Sequence, residues 1–184
     1  MGILQSISNF IDRLSQKIGL GMAWLTLVVV IIGAVNAVLR YIGKTFQVEI
    51  SSNALIELQW YLFATIFLLG AAYTLQQNAH VRVDVLYDRL SARKRQWVNL
   101  VGHLVFLIPF CVFMLWVCWP KVMTSWRELE QSPDPNGLPR YPIISMLPVA
   151  FVLLMLQGIS EVIKNVLGLM SHHDESIAGE EPIQ

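Results

Sequence analysis

The stretch from Asn78 to Leu90, "NAHVRVDVLYDRL", puts His80, Arg82, Asp84, Asp88 and Arg89 between two long apolar runs. His80 and Asp84 are four apart, a spacing that on one helix face would hold a metal ion. Two ligands without a third make no metal centre, so no metal is assigned. As an extended strand, "HVRVDV" would instead place His80, Arg82 and Asp84 on one side and Val81, Val83 and Val85 on the other. Arg82 and Asp84 could then satisfy backbone ends or pair with charges across helices.

Other reactive side chains are scattered. Glu57 precedes Trp60 at the mouth of an apolar run, and Glu161 and Lys164 are three apart, so they can pair on one helix face. Asn36 and Gln157 could bridge helices by hydrogen bonds. His103 lies alone in an apolar run, and a haem-bearing bundle would want a second axial ligand on a facing helix. Cys111 and Cys118 are seven residues apart, roughly 10 Å of helical rise, too far for a disulfide. There is no glycine-rich phosphate loop, nucleophile elbow or pair of catalytic carboxylates. The reading assigns no catalytic residue, no cofactor and no enzyme activity.

The elements that carry these residues are apolar. Of 184 residues, 55% are hydrophobic and 14% charged, whereas a soluble domain carries about a quarter of its residues as charges. Net charge is zero, which argues against a nucleic-acid partner. Four uncharged runs follow Lys17, Glu57, Arg95 and Arg140, each about 20 residues or longer, enough for a helix to cross the roughly 30 Å hydrocarbon core. Helices are required because lipid offers backbone groups no partner. Trp97 opens the third run, and Trp116 and Trp119 close it, as an aromatic belt would.

The expected fold class is an all-α integral membrane protein with spans at about 18–39, 55–77, 97–119 and 143–167. Before them, residues 1–17 carry Ile3, Leu4, Ile7, Phe10, Ile11 and Leu14 at helical spacing, an amphipathic interfacial helix resting on lipid or on a partner. Pro109 and Pro148 should kink their spans. Between the third and fourth spans "RELEQSPDPNGLPRYP" cannot be helical throughout, and Asn136-Gly137 marks a turn. Residues 170–184 read as a flexible acidic tail. The dense "RLSARKR" stretch places both termini and the middle loop in the cytoplasm by the positive-inside rule.

The segment "SSNALIELQWYLFATIFLLGAAYTLQQNAHVRVDVLYDRLSARKR" resembles the small membrane subunit of TRAP transporters, the DctQ-like family. The resemblance rests on Glu57 and Trp60 entering the second span and on His80-Val81-Arg82-Val83-Asp84 after it, and covers residues 18–169. It implies a multi-pass subunit of the bacterial inner membrane in a tripartite, ATP-independent importer. Its partners would be a large permease subunit, which carries substrate and sodium sites, and a periplasmic substrate-binding protein. The small subunit would brace the large one during symport of a small organic acid or similar solute. Glu57, Trp60, His80, Arg82 and Asp84 would then serve structure and assembly. Arg140, in the proline-stiffened outer loop, is a possible contact for the binding protein. Two other readings stay open, an independent four-span transporter or channel and a membrane anchor for a redox enzyme.

Overall fold

The computed structural model describes residues 2–47, 52–79 and 90–178. Four long apolar helices form a bundle, and helix is the only regular structure among the described residues. Helix α1 (Gly2–Phe46) has no internal proline and ends where Gln47 turns left-handed at φ 53°. The Thr26 and Thr45 hydroxyls donate to the Met22 and Tyr41 carbonyls, which hides them from lipid. Helix α2 (Asn53–Gln76) starts at Ser52, whose hydroxyl accepts the Ala54 N–H at 3.3 Å, a normal N-cap.

The third crossing is continuous through α3 (Ala92–Val101), a π-helical turn (Gly102–Leu107) and α4 (Ile108–Glu128). Pro109 has no N–H and its ring crowds the preceding turn. The chain answers with a wider turn, in which the Ile108 N–H reaches back five residues to the His103 carbonyl. The expected disturbance at Pro109 therefore takes the form of a π-turn. Pro120 also lies inside α4, and the helix continues two turns beyond it. It stops at Leu129, left-handed at φ 47°, where the Glu130 N–H bonds back to the Ser125 carbonyl at 3.0 Å.

Residues 129–140 form an ordered loop. Within it the Gly137 N–H donates to the Asp134 carbonyl at 3.1 Å. Pro135 takes the second place of this turn and Asn136, at φ 59°, the third, the residue preferences of a type II turn. A short helix α5 (Tyr141–Ile144) leads through Ser145 into α6 (Met146–Ala178). Pro148 falls in the first turn of α6, where a missing N–H removes no helical bond.

Two boundaries differ from the pattern in the sequence. Residues 2–17 are continuous with the first crossing, because no proline or left-handed residue separates them. Helix α6 runs to Ala178, past residue 170, since an established helix propagates cheaply; residues 179–184 lie outside the described residues.

Helix α6 is the hub and touches α1, α2, α3 and α4. Accordingly, 22% of its apolar window is buried, against 6% for α1 and for the third crossing. Lipid gives no hydrophobic drive between helices, so close packing of small and polar side chains must hold them. The buried residues fit that rule, with Ser8, Ser15, Asn36, Ser125, Gln157 and Ser160 among them. A Cβ on Gly19 would lie 2.6 Å from Cδ2 of Tyr73, so glycine lets α1 meet that ring. Large apolar side chains such as Trp24, Phe67, Phe106 and Trp116 point outward, a surface suited to lipid or a partner and not to water.

Candidate functional site

The chemistry that the sequence scatters gathers in two networks within the bundle. At the end that holds the 129–140 loop, the first turns of α2 present Glu57 to that loop. Glu57 is buried. Its Oε1 accepts a hydrogen bond from the Ser132 hydroxyl, and its Oε2 accepts the Leu138 N–H at 2.5 Å. One carboxylate thus grips both arms of the loop. Gly137 is the residue that allows it, because a Cβ there would lie 2.7 Å from Glu57 Oε2. One turn along α2, the Tyr61 hydroxyl donates to the Leu138 carbonyl at 3.2 Å, and the Asn53 amide donates to the Pro135 carbonyl at 3.0 Å. Trp60 packs edge-on against Tyr61, ring centroids 4.3 Å apart, and keeps 43% of its surface exposed.

The far side of the loop is tied to α4. Lys121 and Glu130 pair at 2.8 Å, the Arg140 N–H donates to the Glu130 carbonyl at 2.8 Å, and the Trp126 indole N–H donates to the Ser145 hydroxyl at 2.6 Å. Arg140 is half-buried, and its charge acts on Glu57, Tyr61 and Glu130. The Lys121 ammonium, with help from the Ser125 hydroxyl, holds the Glu130 carboxyl below its ordinary pKa. A depressed carboxyl stabilises the fold above its unfolded pKa and loses that effect as the carboxyl protonates. Lys121→Ala should therefore lower the melting temperature by the same small amount from pH 6 to pH 8, and the difference from wild type should start to shrink near pH 4.5 and vanish only once the pH falls below the depressed pKa of Glu130. Thermal melts of the pair across pH check this.

Away from the loop, the first four turns of α1 lie on the middle of α6, from Gln157 to Lys164. Lys164 donates to Asp12 Oδ2 and to Glu161 Oε1, both at 2.7 Å. Asp12 Oδ1 accepts from the Gln157 amide and from the Ser160 hydroxyl, each at 2.9 Å. The Ser15 hydroxyl donates to Gln157 Oε1 at 2.7 Å, and Ser8 and Ser160 hydroxyls meet at 2.7 Å. Gln157 and Ser160 are fully buried. The polar stripe of the N-terminal segment is therefore the face that packs inward, while Ile3, Leu4, Ile7 and Phe10 face out.

Of the sequence candidates, Glu57, Trp60 and Arg140 gather around the loop. His80, Arg82 and Asp84 lie outside the described residues. The Glu161–Lys164 pair forms, and Gln157 bridges helices as its position suggested. Asn36 is buried on α1 with no partner for its Oδ1. Among the described residues no three metal-ligating side chains converge, and Cys111 and Cys118 are free thiols. Sequence reasoning passed over Ser132, Tyr61 and Leu138, which hold the loop, and over Asp12. A signal for Asp12 was present, since Ser8, Asp12, Ser15 and Gly19 recur at helical spacing as a small and polar stripe.

Comparison with known proteins agrees with this architecture. The profile of the family described as "Tripartite ATP-independent periplasmic transporters, DctQ component" matches residues 29–168. A relative from Vibrio cholerae serotype O1, the C4-dicarboxylate TRAP transporter small permease protein DctQ, is 25% identical over 169 residues, covering 79% of this chain and 68% of its own. No solved structure matches. With the family profile spanning most of the four-helix bundle, the chain belongs to the DctQ component family of tripartite ATP-independent periplasmic transporters and is the small membrane subunit of such a transporter.

Proposed function

We propose that this subunit braces a large permease subunit that carries the substrate, and that the assembly imports a small organic acid or similar solute with sodium after delivery by a periplasmic binding protein. The observation that carries this reading is where the polar groups sit. One network ties the 129–140 loop to α2 and α4, and the other ties residues 8–15 of α1 to Gln157–Lys164 of α6. These polar groups thus join helices to one another, whereas secondary transporters hold substrate near mid-membrane on broken helices. A bundle locked by two such networks, with wide apolar outer faces, suits a rigid brace. The substrate class is supported by the resemblance and by the name of the Vibrio cholerae relative, which specifies a C4-dicarboxylate.

The subunit should co-purify with a much larger multi-span protein, and its deletion should abolish solute uptake; normal uptake in the deletion strain would overturn the brace. Residues Phe63, Phe67 and Gly70 offer one face for that contact, as the two rings are exposed and the space beyond Gly70 is open. For His80, Arg82 and Asp84 we retain a role in assembly: Arg82→Ala or Asp84→Ala should reduce recovery of the large subunit without changing substrate preference.

The proposed orientation puts both termini in the cytoplasm of a bacterial inner membrane and the 129–140 loop in the periplasm. A cysteine at Asn136, exposed on the loop turn, should react with a membrane-impermeant thiol reagent in intact cells, and one at Ser91 should not. Labelling at Ser91 alone would invert the topology. In this orientation the outward surface of the loop, Asp134 to Asn136, faces the binding protein. Arg140 lies deeper, beside Glu57 and Glu130, so charge reversal there should disturb the loop as well as any docking.

A further inference from the structure

A groove of about 540 Å³ opens on the bundle surface at the loop end. Its mouth carries Lys121, Glu130 and Arg140, and its walls descend along α2 and the start of α6 through Ala64, Leu68 and Leu147. From Trp60 to Leu68 the wall runs along α2 for roughly 12 Å of rise. The groove is thus charged at one end and apolar at the other, and its long direction follows the crossing helices. Its size argues against a helix as the occupant. A helix about 10–12 Å across would need roughly 900–1,400 Å³ over that length. A flexible hydrocarbon chain attached to a charged headgroup matches both the width and the polarity. Arg140 is half-buried where it lines this mouth, and the Lys121 side chain is 58% exposed, so N–H donors at the groove surface remain for a phosphate.

We propose that this groove binds one glycerophospholipid of the leaflet on the loop side, with its phosphate between Arg140 and Lys121 and one acyl chain against Ala64, Leu68 and Leu147. The gain over bulk lipid comes from the headgroup, because an acyl chain leaves one hydrocarbon environment for another. Glu130, already paired with Lys121, adds an acceptor for the ammonium of an ethanolamine headgroup. The bound lipid would fill the space between α2 and α6 and make the loop end one solid body.

The test uses the intact transporter complex reconstituted in vesicles of phosphatidylethanolamine and phosphatidylglycerol that carry a photoactivatable group in one acyl chain. Adducts mapped by mass spectrometry should concentrate on Ala64–Leu68 and Ile143–Leu147, roughly tenfold above the outward positions Phe110 and Phe113; one charge-assisted hydrogen bond to the phosphate supplies such a preference. Leu147→Trp, which fills the groove from its apolar end, should remove the excess while the complex still assembles. Should that variant fail to assemble, Ala64→Leu provides the milder obstruction with the same expected loss. Equal labelling at all outward positions would mean bulk lipid only and overturn the proposal. So would cross-linking of a photoreactive residue at Ile144 to a protein instead of to lipid.

Discussion

Replacing Lys164 with alanine is expected to cost the folded subunit about 2–3 kcal/mol and to release the first turns of α1 from α6. The physical reason is a charge imbalance. Lys164 is the cation between Asp12 and Glu161, at 2.7 Å from each, and its removal leaves two neighbouring carboxylates facing each other among buried hydroxyls. Breaking a fully buried pair costs about 3–5 kcal/mol. The lower figure applies because the Lys164 side chain keeps 37% exposure, and solvent screens part of the effect. Asp12→Asn should be milder, because Glu161 still pairs with Lys164 and the amide oxygen still accepts from Gln157 or Ser160. Limited proteolysis and thermal melts of the purified complex report the change. Cleavage within residues 2–16 should rise in Lys164→Ala and only slightly in Asp12→Asn. Equal melting temperatures for wild type and Lys164→Ala would show that the network adds nothing to stability.

The second large effect is expected at Glu57. Glu57→Ala removes the acceptor that the Ser132 hydroxyl and the Leu138 N–H share, and it leaves both donors without a partner in a closed space. An unmet buried donor costs more than the bond itself was worth. The loop should then detach from α2 and swing on its remaining ties to α4, the Lys121–Glu130 pair and the Trp126–Ser145 bond. Glu57→Gln keeps one carbonyl acceptor and should hold the loop partly closed. Thiol accessibility of a cysteine at the half-buried Leu138, whose bond to Glu57 is made by the backbone N–H and survives the replacement, offers a direct reading. It should react slowly in the otherwise wild-type protein, where this position packs toward α2, and several times faster when combined with Glu57→Ala. Transport should fall as loop closure is lost, while recovery of the assembled complex should fall less. If the Leu138 cysteine reacts equally in both backgrounds, Glu57 does not hold the loop.

The Glu57 acid and the Trp60 ring carry the family resemblance, and their geometry explains why their spacing is three. Residues three apart lie on neighbouring parts of one helix surface. Glu57 can therefore reach under the loop while Trp60 keeps its ring at the outer rim, against Tyr61 and beside the groove.

What the sequence determined by itself is the class of the molecule and its general course. Four uncharged runs of sufficient length leave a chain in lipid no choice but helices, because each backbone N–H and C=O must be met within its own segment. The four crossings, the turn at Asn136-Gly137 and the Glu161–Lys164 pair all follow from rules of local spacing, as does the disturbance before Pro109. Tertiary structure decided everything that joins residues distant in sequence. Asp12 meets Lys164 across 152 positions, and Glu57 meets Leu138 across 81. Neither partner choice is encoded in helical periodicity, which says which residues share a face and not what that face meets. The N-terminal segment illustrates this most clearly. Its apolar positions Ile3, Leu4, Ile7, Phe10, Ile11 and Leu14 suit a face resting on lipid or on a partner, and of these only Ile11 is buried, since in a membrane apolar surface gains little by being buried against another helix. Hydrogen bonds and charge pairs are what a helix pair in lipid stands to lose, so Ser8, Asp12 and Ser15 turn inward and the apolar stripe turns out.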